Sequence, residues 1–406
     1  MAAGAAMALH ALTAPCSHAR EPGEQEARER DDDRDRVERS DDATERAMQA
    51  LDAGDVMDLL ARDERPDRDE RGFPVKQREV TALDLPAEAI DQLEAMGFRV
   101  LSQERLSTLN HDLVRLLAPK GMNVRKARAA VEALAPAATT DLVHYYGLGP
   151  AGGPRRHKVA AEGPAPGAQA PSAATWHIGM IDTDVASHPA LNGTRVIAWK
   201  KGHVPGAPVD HGTAVASILA QFGQPTIHAA NIFRGPSGRP FTSADVLADA
   251  LEWMAAQDAT VINLSLAGPR NAVIDRLLSD MIARGRTIVA AAGNGGPSAP
   301  PAYPAALPGV IAVTAVDKDM RIYRYANRGA YIDVAAQGVD ILAARAGGGM
   351  TRLSGTSFAT PRIATWLALC RAGGAMAQAC RQKLERSARD LGAPGRDDIY
   401  GFGVVD

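Results

Sequence analysis

From residue 174 to the C-terminus, short apolar runs alternate with segments whose apolar residues recur at helical spacing. Ile178-Gly179-Met180-Ile181, Ile227 to Ile232, Val261-Ile262-Asn263-Leu264 and Thr287-Ile288-Val289-Ala290 read as strands. Between them, one helical face is marked by Ala214, Val215, Ile218 and Leu219. A second carries Val246, Leu247, Ala250, Leu251 and Met254, and a third Ile274, Leu277, Leu278, Met281 and Ile282. Strands that alternate with helices predict an α/β fold, a mainly parallel sheet covered by helices on both faces. In such a sheet, functional side chains gather at the carboxyl ends of the strands.

Three stretches carry chemistry. Ile178-Gly179-Met180-Ile181-Asp182-Thr183-Asp184 is an apolar strand that ends abruptly in an acid. Asp210-His211-Gly212-Thr213 places a histidine at the start of a helix. Gly355-Thr356-Ser357-Phe358-Ala359-Thr360-Pro361 places a serine behind a glycine turn, again at a helix start. Taken singly, each has a bland reading: Thr356 and Ser357 cap a helix, and a strand-end Asp or a lone His is structural. Taken together they supply what nucleophilic catalysis by serine requires. A hydroxyl is a weak nucleophile, so a base must take its proton, and a buried carboxylate must hold that base in one tautomer. The free N–H groups and partial positive charge of a helix N-terminus favour negative charge beside the serine.

The order Asp182, His211, Ser357 is that of subtilisin and differs from those of chymotrypsin and the α/β-hydrolases. With I-D-T, H-G-T-A-V-A and G-T-S-F-A-T-P in sequence, the chain resembles the subtilisin-like serine proteases, the subtilases. Ala291-Ala292-Gly293-Asn294-Gly295, Tyr303-Pro304-Ala305-Ala306 and the ending Tyr400 to Asp406 extend the resemblance over 174–406. It implies a subtilisin-like three-layer sandwich and a serine endopeptidase acting through an acyl-enzyme. It casts Asp182, His211 and Ser357 as catalytic and Asn294 as oxyanion donor. Substrate would add a strand beside Ser265-Leu266-Ala267. That segment, Ala291-Ala292-Gly293 and Ala302 would wall the pocket for the residue before the scissile bond, and because none is acidic, an apolar or aromatic residue is expected there. Asn263, near a strand end, is expected to shape the site as a supporting polar group. His188-Pro189 matches a structural histidine of the family, whereas His177, His203 and His228 fall in no motif. The alternative is a catalytically silent, peptide-binding protein of the same fold. Asp184 stands where glycine is usual, and is read either as a second carboxylate that favours the charged form of His211 and raises its pKa or as pointing to solvent. Gln337 replaces a usual proline. No cofactor is required, no metal ligands are assigned, and in the absence of a D-x-D-x-D-G loop calcium binding has no named site.

Residues 76–148 read as a small α+β unit: a strand over 78–83, a helix from Pro86 ending at Gly97, strands over 98–101 and 113–117, a helix capped by Asn123, and a last strand over 141–146. The order β-α-β-β-α-β is ferredoxin-like. Its position resembles that of subtilase propeptides, which chaperone folding and inhibit by laying a C-terminal strand in the substrate cleft; an unrelated adaptor domain is the alternative. Residues 149–173 are a Gly/Pro-rich linker, the natural place for cleavage, and include Arg155-Arg156. Residues 20–75 are dense in charge and expected to be mostly disordered, apart from a short helix between Ala47 and Ala61. Residues 1–19 carry a short apolar run and a small-residue Ser17-His18-Ala19, features of a signal peptide without its basic n-region. The expected location is therefore secreted or periplasmic.

A net charge of −3 gives no pull toward nucleic acid, and no apolar run spans a membrane. The resemblance implies protein or peptide substrates and the chain's own N-terminal domain as partners, in a monomer. Of the three cysteines, Cys370 and Cys380 flank Gly373-Gly374 and are read either as a disulfide in an exported chain or as two free thiols.

Overall fold

The computed structural model describes residues 66–148, 176–201, 209–235 and 240–406. The sequence-based expectations for the N-terminal 65 residues and for the linker lie outside these.

The N-terminal domain starts earlier than its sequence pattern suggests. Residues 66–75, assigned above to the charged disordered segment, are ordered: β1 (Asp67–Arg68) pairs antiparallel with β2 (Pro74–Leu83). The turn between them is built on Asp69, whose carboxylate accepts from the amides of Arg71 (2.9 Å) and Phe73 (2.8 Å). Burial opposes ionisation of Asp69, but the hydrogen bond and charge of His144 and the two amides outweigh it and lower the carboxyl to about 2. One short-range carboxylate thus organises a segment whose composition is that of a solvated chain.

After β2 come α1 (Ala87–Ala95), β3 (Arg99–Leu106), β4 (His111–Leu117), α2 (Val124–Leu134) and β5 (Thr139–Gly147). The sheet order β3-β4-β2-β5 is the ferredoxin-like one. Asn123 caps α2, its side chain accepting from the Lys126 amide at 2.9 Å. One face of the sheet, with Val80, Val114, Leu116 and Leu142, packs under Leu93, Val124, Ala127 and Val131 of the two helices. The other face, with Leu83, Leu113, Val143 and Tyr146, joins a second core shared with the C-terminal domain.

That domain contains β6 (His177–Asp182), β7 (Arg195–Lys200), α3 (Asp210–Leu219), β8 (Thr226–Asn231), β9 (Phe241–Ser243), α4 (Ala244–Ala255), β10 (Val261–Leu264), α5 (Ala272–Ala283), β11 (Thr287–Ala291), β12 (Ile311–Val316) and β13 (Val334–Gln337). A hairpin, β14 (Ile341–Ala344) with β15 (Met350–Leu353), leads into α6 (Thr356–Ala372) and α7 (Ala377–Ser387). Seven strands form one parallel sheet in the order β13-β12-β11-β10-β6-β8-β7. Leu247, Leu251, Leu277 and Met281 of α4 and α5 cover one face, while Val215, Ile218, Ile363 and Leu367 of α3 and α6 cover the other. The architecture is the three-layer α/β sandwich that the alternating pattern predicts. The elements the pattern does not give are β7 and β13 at the two edges of the sheet, β12, the three-residue β9, the β14–β15 hairpin and α7. A disulfide joins Cys370 on α6 to Cys380 on α7, with Cα atoms 5.9 Å apart.

The two domains meet on α4 and α5. Asp245, in the first turn of α4, is 3 % exposed and faces Lys76 (2.8 Å) and Arg115 (3.1 Å) from the N-terminal sheet. Glu252 of α4 accepts from the amides of Thr108 (2.6 Å) and Leu109 (3.0 Å). His111 lies between Asp84 (2.6 Å) and Asp280 of α5 (2.7 Å). Burial alone would push the Asp245 carboxyl up; the charges of Lys76 and Arg115, with hydrogen bonds from Lys76 and Ser243, outweigh it and bring it to about 2. Because this lies below the unfolded value, the stabilisation is present above the ordinary carboxylate range and fades as pH falls through about 2. In a Ser357→Ala background, Asp245→Asn should lower urea stability at pH 7 by about 2 kcal/mol, with the difference from the parent closing toward pH 2.

Candidate active site

Asp182 is the last residue of β6 and is fully buried. His211 is the second residue of α3, and its Nδ1 donates to Asp182 Oδ1 at 2.8 Å. This approach depends on the small residues around both groups. A Cβ at Gly212 would lie 2.3 Å from the Thr183 carbonyl oxygen and 2.7 Å from that of Asp184, so only glycine lets α3 descend onto the end of β6. The Gly212 amide donates to Thr183 Oγ1 (2.7 Å), and Thr213 Oγ1 accepts from the Ala186 amide (2.9 Å). The threonines of I-D-T and H-G-T therefore interlock the two motifs. The Thr183 amide also donates to Asp182 Oδ1 at 2.6 Å, which fixes the carboxylate.

Ser357 stands in the first turn of α6, 3 % exposed, after Gly355 at φ 153°. Its Oγ donates to the Ser265 carbonyl at 3.4 Å. The neighbouring Phe358 ring lies 5.3 Å from that of His211. His211 Nε2 is buried without a hydrogen-bond partner, as is Asp182 Oδ2. Unpaired buried polar atoms are uncommon and need a reason; here both belong to one hydrogen-bonded Asp–His pair.

Asn294 follows β11 and is 7 % exposed. Its Oδ1 accepts from both the amide (3.0 Å) and the hydroxyl (2.9 Å) of Thr356, so the acceptor end is turned toward the start of α6. A Cβ at Gly355 would come within 3.2 Å of Asn294 Nδ2. Asn263 Nδ2 donates to Ser265 Oγ (2.9 Å), which in turn donates to the Ser357 carbonyl (3.1 Å). Gly293, at φ 102°, has Asn327 and Ala302 against it, 2.7 and 3.1 Å from the position of a Cβ. Ser265, Leu266 and Ala267 follow β10, Ala291 ends β11 with Ala292 next, and Ala302 precedes the cis Tyr303–Pro304 bond. The Gly268–Tyr303 bridge ties the last of these segments to the first.

Two further positions resolve differently from their neighbours. Asp184 forms an ion pair with Lys200 and accepts from the Val185 amide (2.9 Å), so its charge is paired. His188 donates through Nε2 to the Gly349 carbonyl (2.9 Å) and accepts at Nδ1 from the Ala190 amide (3.0 Å), a structural role. Among the described residues, no group of three or more His, Cys, Asp or Glu side chains could hold a metal ion.

The sequence reading expects a C-terminal strand of the N-terminal domain in the substrate cleft; what it misses is β9, the strand on the far side of it. Gly147, at the end of β5, pairs antiparallel with Phe241 of β9 on one side and with Ala267 on the other. Its amide donates to Ala267 O (3.3 Å), and the Ala267 amide donates back to Gly147 O (3.2 Å). Tyr146, 2 % exposed, lies so close to Gly268 that a Cβ there would be 2.3 Å from its ring. A three-residue strand before a helix leaves no alternation to read, so β9 had no signal beyond the β-branched and aromatic character of Phe241-Thr242.

Residues 174–403 match the model of the subtilase family. The chain belongs to that family. It is a hydrolase of the subtilisin-like serine peptidase class. As a subtilase, it is 30% identical to Subtilisin BL of Lederbergia lenta over 247 residues, 56% of this chain and 88% of the relative. It is 34% identical to a thermophilic serine proteinase of Bacillus sp. (strain AK1) over 241 residues, 55% of this chain and 59% of that protein. Its fold is that of fervidolysin from Fervidobacterium pennivorans, with a TM-score of 0.66 at 21% identity; the match covers 84% of this chain and 61% of that one.

Because Gly268 leaves no room for a side chain beside Tyr146, Gly268→Ala should displace that ring and cost about 1–3 kcal/mol through overpacking. The expected signature is faster hydrogen exchange at the Gly147 and Ala267 amides, with exchange in β12 unchanged.

Proposed function

We propose that this subtilase is a serine endopeptidase made as a zymogen, with Ser357 as nucleophile, His211 as base and Asp182 as the carboxylate that orients it. The observation that carries the reading is the Asp182–His211 hydrogen bond of 2.8 Å, with His211 Nε2 left unpartnered in a site that also holds Ser357. Donation from Nδ1 to the carboxylate fixes the tautomer in which Nε2 bears the lone pair. Ser357 Oγ attacks the peptide carbonyl and its proton passes to Nε2; the imidazolium then returns a proton to the leaving amine, and water repeats the sequence on the acyl-enzyme. Asp182 stabilises the imidazolium throughout. The hydroxyl rests on the Ser265 carbonyl at 3.4 Å, and catalytic hydrogen bonds that are absent or long in the free enzyme commonly form or tighten once substrate binds.

The tetrahedral oxyanion is held by the Asn294 side-chain amide and by the backbone N–H of Ser357 at the start of α6. Thr356 supports the first of these by taking up Asn294 Oδ1. Extended substrate adds a strand between Phe241–Ser243 and Ser265–Ala267, so backbone hydrogen bonds supply affinity with little demand on sequence. The pocket formed with Ala291, Ala292, Gly293 and Ala302 is lined by small groups, which favours an apolar or aromatic residue before the scissile bond.

In the zymogen that edge is taken by the chain's own β5. Gly147 fills the substrate's place between Phe241 and Ala267, and the antiparallel direction leads through Leu148 toward Ser265. The N-terminal domain is thus an intramolecular inhibitor. The Cys370–Cys380 disulfide supports a secreted or periplasmic location. No helix among the described residues is long and apolar enough to cross a membrane.

The test compares intact mass and N-terminal sequence of the wild type and of Ser357→Ala. Wild type is expected to lose the residues before about 149–175, while the variant stays full length. Two full-length proteins, neither reacting with a fluorophosphonate, would falsify the reading. In the active form, Asn294→Ala should lower kcat about 10²–10³-fold with little change in KM, the range found for the corresponding donor in subtilisin, a relative of this chain.

A further inference from the structure

A second site lies at the other end of the sheet. Arg286 immediately precedes β11, and Ala259 and Thr260 precede β10, so these residues sit at the amino ends of strands whose carboxyl ends lead into the active site. Here a cavity of about 170 Å³ opens between the β3–β4 hairpin of the N-terminal domain and the peptidase core. Its lining includes Thr108 and Leu109 of the hairpin and three arginines, Arg284, Arg286 and Arg371. A water-sized site needs only ~10–15 Å³ on this measure, so the space admits a polyatomic group.

The three guanidiniums are held in place by neutral carbonyls. Arg284 donates to Thr108 O and, at 2.7 Å, to Leu109 O. Arg286 donates to Ala259 O (2.5 Å), Ala255 O (3.0 Å) and Gln257 O (2.9 Å). Arg371 donates to Ala375 O and Gly285 O, both at 3.2 Å, and its Nε is buried with no acceptor. Among the described residues, none of the three forms a salt bridge. The nearby carboxylates do not change this: Glu252 is engaged by the hairpin amides, and Asp258 is exposed. Burial, with the like charge of Arg371, lowers the Arg286 guanidinium from its ordinary value, while Asp258 acts against this. Carbonyls fix where the three forks sit without cancelling their charge, leaving donors for an acceptor of opposite sign.

We propose that this cavity is a binding site for a small, multiply charged oxyanion of the phosphate or sulfate class. Three guanidinium-bearing residues line the one cavity, and a tetrahedral anion offers acceptors in more than one direction. The orphaned Arg371 Nε would gain a partner, and the repulsion among the arginines would be offset. Because Arg284 also holds the hairpin carbonyls, an anion here ties the N-terminal domain to the peptidase core at a place remote from Ser357. The proposal does not depend on the catalytic assignment.

The experiment is thermal unfolding of full-length Ser357→Ala, titrated with inorganic phosphate and, in parallel, with sodium chloride at matched ionic strength. A ligand that binds the folded state raises the midpoint with saturation. Phosphate, but not chloride, is expected to do so. Arg371→Met should raise the half-saturating concentration at least about tenfold, the equivalent of one charge-assisted contact. Arg286→Gln is expected to act in the same direction, and either variant that folds decides the matter alone. Equal rises with both salts, no rise with phosphate, or a phosphate response unchanged in a folded variant would each overturn the proposal.

Discussion

The contact on which the rest of this molecule depends is the descent of α3 onto the carboxyl end of β6. Gly212 packs where any side chain would overlap the Thr183 and Asp184 carbonyls. That close approach brings the His211 imidazole onto the fully buried Asp182. A buried carboxylate without partners would be costly. Here it is stabilised by the Thr183 amide and by the imidazole itself, and Thr183 and Thr213 stitch the two segments through their hydroxyls. The remaining atoms of the pair, Asp182 Oδ2 and His211 Nε2, are left with no hydrogen-bond partner. On the proposed mechanism, stability is given up where reactivity is needed, and the parallel sheet behind the site supplies the rigidity that lets it persist.

The N-terminal domain is organised by the opposite logic, in which charges are buried but paired. Asp245 meets Lys76 and Arg115, His111 lies between two carboxylates, and Glu252 satisfies two hairpin amides. Each contact joins the N-terminal domain to α4 or α5. α4 directly follows β9, with which β5 pairs, and Gly147 lies between Phe241 and Ala267.

Much of this was legible in the sequence because the physics is local. The parallel sheet follows from strands such as 261–264 and 287–291 alternating with amphipathic helices, and Asn123 announces the start of α2 by its capping chemistry. What was not legible depends on contacts across long sequence separations. Thr356 reads as a helix cap, yet its hydroxyl holds Asn294, 62 residues away. Asp184 reads as a second charge near the triad until its pairing with Lys200 is seen. Residues 66–75 look like a solvated charged segment, and only the position of Asp69 among amides and His144 accounts for their order. Asp245 and the arginines at the amino ends of β10 and β11 carry no motif at all.

The measurement that bears most directly on the central claim is the site of modification by a fluorophosphonate, mapped by peptide mass spectrometry on the mature protein. A single adduct on Ser357, lost in His211→Ala while that variant stays folded, is the expected result. An adduct elsewhere, or labelling of Ser357 at the same rate without His211, would contradict the assignment of Asp182, His211 and Ser357 as one catalytic unit.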